Sequence, residues 1–331
     1  MIHSDVLKGR AGKRIAQALL RLRAALSASI PTKTLGDCLV LASWNIRDFG
    51  KGKHGGRSAE ALTYIAEILS RFDIVAVQEV SADLADLECV RRKLGNWWSC
   101  LYTDVTEGVA GNGERLAFLF DSRTVRMSGL AGEIVLPGKK KQPVLQFART
   151  PFTCGFVAGD KQLELCTVHV YWGKSVAVTP ERVAEIENVA RALAKRAKKR
   201  RAPSAPHTLL MGDFNIFNRD DATFAALTKA GFTIPPQLQT IPGSNVAKTK
   251  RHYDQLAFLK RAGVLEARAA GVFDFFEHVY RDPVDARLYL TGKLPFRAWR
   301  TYQMSDHLPM WVQLEVDGTD ELLTRAAGRK K

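Results

Sequence analysis

The heptad Met211-Gly212-Asp213-Phe214-Asn215-Ile216-Phe217 places a carboxylate and a carboxamide two residues apart, directly after the apolar run at 207–210. If that run is a strand, both side chains leave its end on one side. An acid and an amide held together at the mouth of a buried strand can bind a metal ion or a phosphate. Gly, Asp and Asn also make ordinary strand-to-loop turns, so the heptad alone does not choose. Other residues do. Asn45, Glu79 and His169 also close apolar runs, and Asp254 and Asp306-His307 stand just ahead of two more. Histidines exchange protons near neutral pH, and carboxylates orient them or bind hard cations. Six such clusters at strand ends are more than turn chemistry supplies.

For these residues to meet, strand ends must gather at one edge, and the pattern of the chain allows it. Apolar runs at 39–44, 73–77, 163–168, 207–210, 255–259 and 310–316 read as strands. Helical patterns over 58–70, 83–94, 180–197 and 221–230 lie between them, with Pro180 in a first turn, where a helix tolerates it. Shorter strand-like segments fall at 97–103, 115–120, 144–147 and 152–157. A Gly-rich loop runs from Gly50 to Gly56 and a Pro/Gly loop from Pro235 to Gly243. Strand ends collect at one edge of a packed sheet pair, where loops build sites. Near the start, Ile15, Leu19, Leu22 and Leu26 recur at helical spacing among basic residues, which predicts a basic amphipathic helix over 5–28. A linker at 29–31 follows.

A chain of 331 residues can bury a large core. The expected organisation is a basic amphipathic extension over 1–36, a catalytic domain over 37–317 and a basic tail over 318–331. The formal net charge is +15, of which 1–36 carry +6, 195–201 another +6 and the tail +2. Basic segments of this kind meet nucleic acid or an anionic membrane surface, or are simply solvated. The run 195–201 is expected on the side away from the strand-end edge. The five cysteines show no Cys-x-x-Cys spacing, and Cys38 and Cys166 sit in apolar runs. They predict a reducing, cytoplasmic compartment rather than a disulfide framework or a zinc site. No 18-residue apolar stretch predicts a transmembrane helix, and Arg21 and Arg23 interrupt any signal-peptide core. A monomer is expected.

Taken in order, Asn45-Ile46-Arg47-Asp48-Phe49-Gly50, Gln78-Glu79-Val80, Glu114-Arg115, Arg149, His169, Gly212-Asp213-Phe214-Asn215, Tyr253-Asp254, Phe273-Asp274-Phe275 and Ser305-Asp306-His307-Leu308-Pro309 form an ordered set. The set resembles the motifs of the endonuclease/exonuclease/phosphatase superfamily, and within it the deoxyribonuclease I-like nucleases. The likeness covers roughly residues 39–316. It implies an α/β (α+β) fold, a four-layer αββα sandwich of two mixed β-sheets of the deoxyribonuclease I-like kind. It also implies Mg²⁺-dependent phosphoester hydrolysis, with Mn²⁺ as a substitute and Ca²⁺ as a structural ion. A phosphodiester is anionic and repels an attacking water until its charge is neutralised. The resemblance implies a hard cation held by Glu79, with Asn45 and Asp306, through oxygens and retained waters. It implies that Arg149, Asn215 and Asn45 bind the phosphate as charge builds. It pairs Glu114 with His169 and Asp254 with His307, and it gives Asp213 the task of positioning or activating water, or of binding metal. Which histidine is acid and which is base stays open at this stage.

Departures from the family bear on the substrate. Ser81 follows Gln78-Glu79-Val80 where deoxyribonuclease I-like enzymes carry an arginine that enters the DNA minor groove. Gly111-Asn112-Gly113 precedes Glu114-Arg115 where they carry a tyrosine that stacks on a sugar. The expected function is a Mg²⁺-dependent phosphodiesterase, an endonuclease acting on DNA or RNA. The basic arms, Lys139-Lys140-Lys141, Lys248, Lys250 and Arg251 are further phosphate-facing candidates. One alternative is a phosphatase or lipid phosphodiesterase of phosphoinositide or sphingomyelin type, with the 5–28 helix on a membrane surface. Against it, Tyr253-Asp254-Gln255 is unlike the Trp-x-Asp-Arg type sequence of inositol polyphosphate phosphatases. An abasic-site repair endonuclease is another. The N-terminal helix is expected to contact nucleic acid, a membrane surface or a partner.

Overall fold

Strands that are apolar on both faces are strands buried on both faces. In β1 (Cys38–Phe49) Leu39 and Leu41 belong to the apolar layer between two sheets, while Val40, Ala42, Trp44 and Ile46 face the helices outside. The computed structural model describes residues 4–107, 111–138, 146–200, 205–260 and 265–328. β1 pairs in parallel with β2 (Ile74–Ser81) and continues through β4 (Glu114–Asp121) to β3 (Trp98–Tyr102). On its other side lie β12 (Met310–Glu315) and then β11 (Ala267–Val272). The second sheet runs β5 (Arg126–Glu133), β6 (Phe152–Ala158), β7 (Lys161–His169), β8 (His207–Asp213), β10 (Asp254–Leu259) and β9 (Phe232–Thr233). Its one parallel pair is β7–β8. Helices α1 (Gly9–Ser29), α2 (Ala59–Leu69) and α3 (Ala85–Leu94) cover the first sheet, α4 (Pro180–Lys198) and α5 (Ala222–Lys229) cover the second, and the short α6 (Pro236–Gln239) packs against β11, where Gln237 Nε2 donates to the Ala267 carbonyl at 3.1 Å. This is the expected four-layer sandwich of two mixed sheets.

Sequence reading missed elements whose side chains carry no clear period. β5 reads Arg-Met-Ser-Gly-Leu-Ala-Gly-Glu on an exposed edge, and β11 is short and alanine-rich. Helices α6 and α7 (Phe296–Gln303) were also not anticipated, and the tail begins with a helix, α8 (Thr319–Ala326). The strand expected at 144–147 is not formed at Gln146 and Phe147, while 144–145 lie outside the described residues. So do Lys139-Lys140-Lys141, Arg201 and 329–331.

The amphipathic helix is α1, and its apolar stripe is already used. Ile15, Leu19, Leu22 and Leu26 are buried in one layer with Trp44 and Tyr64. Arg14 grips Glu60 of α2 through both terminal nitrogens, at 2.6 and 2.7 Å, and the Tyr289 hydroxyl donates to the same carboxylate at 2.7 Å. The basic run is partly internal as well. Arg196 and Arg200 reach the fully buried Glu164 at 2.9 and 2.6 Å, so these two residues hold a strand to a helix end rather than simply solubilising it. Among the described residues no helix is long and apolar enough to cross a membrane.

Asp121 ties the N-terminal linker to the first sheet. Its buried carboxylate accepts from Lys33 Nζ at 2.6 Å and from Arg123 Nε and Nη2 at 2.9 and 2.6 Å. Burial pushes this carboxyl up, but the donors together pull it down to about 2. A depressed carboxyl stabilises the fold above its unfolded pKa, and the contribution disappears as pH falls through the folded value. The contribution is about 1–2 kcal/mol once the half-exposed Arg123 is discounted. Asp121→Asn is therefore expected to lower the melting temperature at neutral pH, with the difference from wild type closing as pH falls toward about 2. Melting curves across that range check it, and a difference independent of pH would contradict it.

Candidate active site

Strand register sets the first row of the site. Parallel β7 and β8 place His169 opposite Asp213, and antiparallel β8 and β10 place Asp213 opposite Asp254. An imidazole and two carboxylates therefore end three neighbouring strands. Gly212 makes this possible in a way its place in the sequence did not suggest. The strand does not turn there; it runs on through Asp213. At φ +130° a Cβ on Gly212 would stand 2.1 Å from the Val168 carbonyl oxygen, so only glycine lets β8 lie so close to β7.

The first sheet supplies the opposite wall. Asn45 of β1 pairs with Gln78 of β2, and the register of both neighbouring ladders shifts just beyond. Glu79 sits in that irregularity at φ 61°, a left-handed conformation that non-glycine residues rarely adopt. Gln78 Nε2 donates to Thr167 Oγ1 at 2.8 Å, linking the two sheets directly beneath the site. Ser305 Oγ donates to the Asn45 carbonyl at 2.7 Å and accepts from His307 N at 3.0 Å, while Trp44 Nε1 donates to the His307 carbonyl at 2.9 Å. These bonds bring the segment before β12 to the end of β1.

The ionisable groups then converge. His307 Nδ1 lies 2.8 Å from Asp254 Oδ2, and His169 Nδ1 lies 3.0 Å from Glu114 Oε2. The other nitrogen of each ring approaches Asp213 Oδ2, at 3.8 Å from His307 and 3.7 Å from His169. Asp213 thus stands between two imidazoles, each backed by its own carboxylate. Asn45 Nδ2 donates to Asp213 Oδ2 at 3.0 Å and to Glu79 Oε1 at 2.9 Å. Asn215 is fixed by its N–H to Asp213 Oδ1 at 2.8 Å and by Nδ2 to the Val170 carbonyl at 2.7 Å. Glu114 also takes Arg149 Nε at 2.8 Å and Lys51 Nζ at 3.3 Å. Burial alone would raise the Glu114 carboxyl, but His169, Arg149 and Lys51 hold it well below the usual carboxylate range. Burial likewise works against a charged His307, yet Asp254 and Asp213 outweigh it and hold the imidazolium well above its ordinary pKa.

A cavity of about 960 Å³ opens above this cluster. Glu79, Glu114, Arg149, His169, Asp213, Asn215, Asp306 and His307 all line it. Asn45 and Asp254 are fully buried behind Glu79 and His307. Asp306 is partly exposed and sits 3.6 Å from Arg47. Sequence reading missed Lys51, Lys53, Trp172 and Asn245, which also line the cavity, as does Asn112 of the Gly111–Gly113 departure. Lys51 and Lys53 were legible as cations in the Gly-rich loop next to Asn45, and Trp172 as an aromatic three residues beyond His169. Of the other basic candidates, Lys250 Nζ donates to the Asn245 carbonyl at 2.9 Å and Arg251 covers the Phe217 ring, and neither lines the cavity. Arg115 turns to the Thr103 carbonyl at 2.7 Å, and the buried Ser81 hydroxyl donates to the Asp83 carbonyl at 2.8 Å.

A family model for the Endonuclease/Exonuclease/phosphatase family matches residues 42–307, from β1 to His307. The chain belongs to this family. Members of the endonuclease/exonuclease/phosphatase family are phosphoester hydrolases, generally dependent on a divalent metal, and this chain is an enzyme of that class. No curated protein matches it by sequence. Solved structures share the fold at low identity. An endonuclease/exonuclease/phosphatase family protein from Bacteroides thetaiotaomicron is 18% identical, with a TM-score of 0.58 over 85% of this chain and 95% of that one. A mannosyl-6-phosphatase from Bacteroides thetaiotaomicron VPI-5482 is 17% identical, with a TM-score of 0.57 over 83% and 99% of the two chains. TDP2 from D. rerio, complexed with single strand DNA product, is 16% identical, with a TM-score of 0.54 over 84% and 99%.

The residues present fit a hard divalent cation. Asn45 Oδ1 is buried with no hydrogen-bond partner among the described residues, beside the Glu79 carboxylate that Asn45 Nδ2 touches. Burying such an oxygen is costly unless something uses its lone pairs. Among the described residues no group of three His, Cys, Asp or Glu surrounds one point. A sparse, oxygen-only donor set suits an ion that keeps several waters and takes further oxygens from a phosphate.

Proposed function

We propose that this enzyme is a Mg²⁺-dependent phosphodiesterase that hydrolyses nucleic acid, an endonuclease on DNA or RNA. One observation carries the reading. Asp213 stands between two carboxylate-backed imidazoles at the floor of an open cavity whose walls carry the cations Lys51, Lys53 and Arg149. That floor can position a water and shuttle protons, and the walls can hold a polyanion. Glu79 and Asn45 would hold Mg²⁺, with Asp306 at the rim, and the ion would supply charge neutralisation at the phosphate. Asp213 aligns the attacking water and takes up its proton. His307, held as imidazolium by Asp254 and Asp213, gives a proton to the leaving oxygen. His169, oriented by Glu114, steadies the developing negative charge together with Arg149 and Asn215. The water oxygen bonds to phosphorus as the phosphorus–oxygen bond to the leaving group breaks, in line.

A lipid phosphodiesterase anchored through the N-terminal helix is disfavoured because the apolar stripe of α1 is buried within the enzyme. The test is one cleavage panel of plasmid, single-stranded DNA, RNA and an abasic-site duplex, with Mg²⁺ and with EDTA. Wild-type enzyme is expected to cut at least one polymer only with Mg²⁺. If all four stay intact while mannose 6-phosphate or a phospholipid is hydrolysed, the nuclease reading fails.

A further inference from the structure

Three aromatic rings form a wall at one side of the cavity. Trp172 and Phe217 are stacked with centroids 5.6 Å apart, and Tyr253 meets both edge-on at 5.6 and 5.5 Å. Tyr253 in turn lies 5.5 Å from the His307 ring. Trp172 and Tyr253 line the cavity, whereas Phe217 is buried behind them. The wall therefore begins beside the residues that handle the phosphate.

The loop that carries Trp172 is held by an unusual device. Arg182, from the first turn of α4, is fully buried. Its guanidinium donates to the carbonyls of Tyr171 at 3.2 Å, Val176 at 3.0 Å, Ala177 at 3.1 Å and Lys174 at 3.3 Å, and to that of Trp172. Among the described residues no carboxylate forms an ion pair with it. A buried cation without a counter-ion is costly, and here its donors go to fixing five carbonyls of one exposed loop. The same guanidinium lies 5.5 Å from the Trp172 ring centroid and 5.4 Å from that of Phe217. A tryptophan that served only to fill the core would not need its backbone pinned at the mouth of a polar cavity.

We propose that Trp172, backed by Phe217 and Tyr253, is a stacking subsite for a nucleobase attached to the phosphate on which Asp213 and His307 act. A flat, half-exposed indole held in place by its loop offers a π face that any base can cover, so the subsite would favour nucleotides without reading their sequence. It would take over the gripping role for which this chain has only Ser81 and Gly111–Gly113. The proposal rests on the nucleic-acid reading of the site, and its test separates the two.

Dissociation constants are measured by ligand-detected NMR on the full chain with Mg²⁺, for thymidine 5′-monophosphate, 2-deoxyribose 5-phosphate and mannose 6-phosphate. The three share a phosphate, and only the first carries a base. Wild type is expected to bind the nucleotide about tenfold more tightly than the deoxyribose phosphate. That ratio is expected to collapse in Trp172→Ala and to persist in Trp172→Phe, which keeps a π face. Equal binding of all three ligands, a ratio unchanged in Trp172→Ala, or Trp172-dependent preference for mannose 6-phosphate would each overturn the subsite. If the ratio holds while DNA and RNA stay uncut, the subsite stands and the nuclease reading falls. If polymer is cut and the ratio is absent, the subsite falls alone.

Discussion

Asp213→Asn is expected to lower the rate of phosphodiester cleavage about a thousand-fold, because every proton-handling group in the cavity faces that carboxylate. Both imidazole Nε2 atoms approach Oδ2, at 3.7 and 3.8 Å, and Asn45 donates to the same oxygen at 3.0 Å. The asparagine has the same shape and still offers one oxygen to its neighbours. It cannot take up a proton from water, and it removes one of the charges that keep His307 protonated. The loss should therefore fall on the chemical step, with binding of product nucleotide little changed. Single-turnover rates on an oligonucleotide, read beside melting curves for both proteins, separate a chemical defect from a folding defect. A well-folded variant that retained more than about a tenth of wild-type rate would remove Asp213 from the reaction.

The site was legible to the extent that its residues end strands. His169, Asp213 and Asp254 could be found because an apolar run stops or starts at each, and strand pairing does the rest by placing them in one row. Glu114 and Arg149 carry no such local signal. Their partners lie 55 residues away for Glu114 with His169 and 35 for Glu114 with Arg149 in the sequence, and only the family likeness pointed to them. Gly212 was legible as a glycine but not for its reason. A turn and a close strand approach ask for the same residue, and the Val168 carbonyl that decides between them comes from another strand. The N-terminal helix shows the opposite limit. Its stripe of Ile15, Leu19, Leu22 and Leu26 gives the helix and its buried face, but an amphipathic face says nothing about what covers it. Here the cover is the enzyme's own second helix, with Arg14 and Glu60 fixing the contact. Trp172 was passed over because two adjacent aromatics, Tyr171 and Trp172, at the start of a loop show no period. Its significance comes from Arg182, which is ten residues further on and looks like any helix-surface arginine until its burial is known.

Asp254→Asn tests the other half of the proton path, and its effect should depend on pH with a definite sign. Asp254 is fully buried and lies 2.8 Å from His307 Nδ1. Burial pushes this carboxyl up, and the neighbouring imidazolium opposes that push. The pair raises the His307 pKa, so its contribution to stability is present at pH values below the ordinary histidine pKa and is lost as pH rises through the elevated one. Without the Asp254 charge, His307 should release its proton at lower pH. If His307 supplies the proton to the leaving oxygen, the alkaline limb of the kcat profile must move to lower pH in Asp254→Asn, and kcat at about pH 8 should fall about a hundred-fold. An alkaline limb that stays in place would mean that His307 acts by charge or position alone, and that the leaving oxygen takes its proton from elsewhere. The melting temperature provides a second reading of the same linkage. The deficit of Asp254→Asn against wild type should shrink toward alkaline pH, whereas that of Asp121→Asn should shrink toward acid. Opposite signs at the two ends of the scale would follow from the two pairs themselves, since one is a raised imidazolium and the other a depressed carboxylate, and a general loosening of the fold would produce neither.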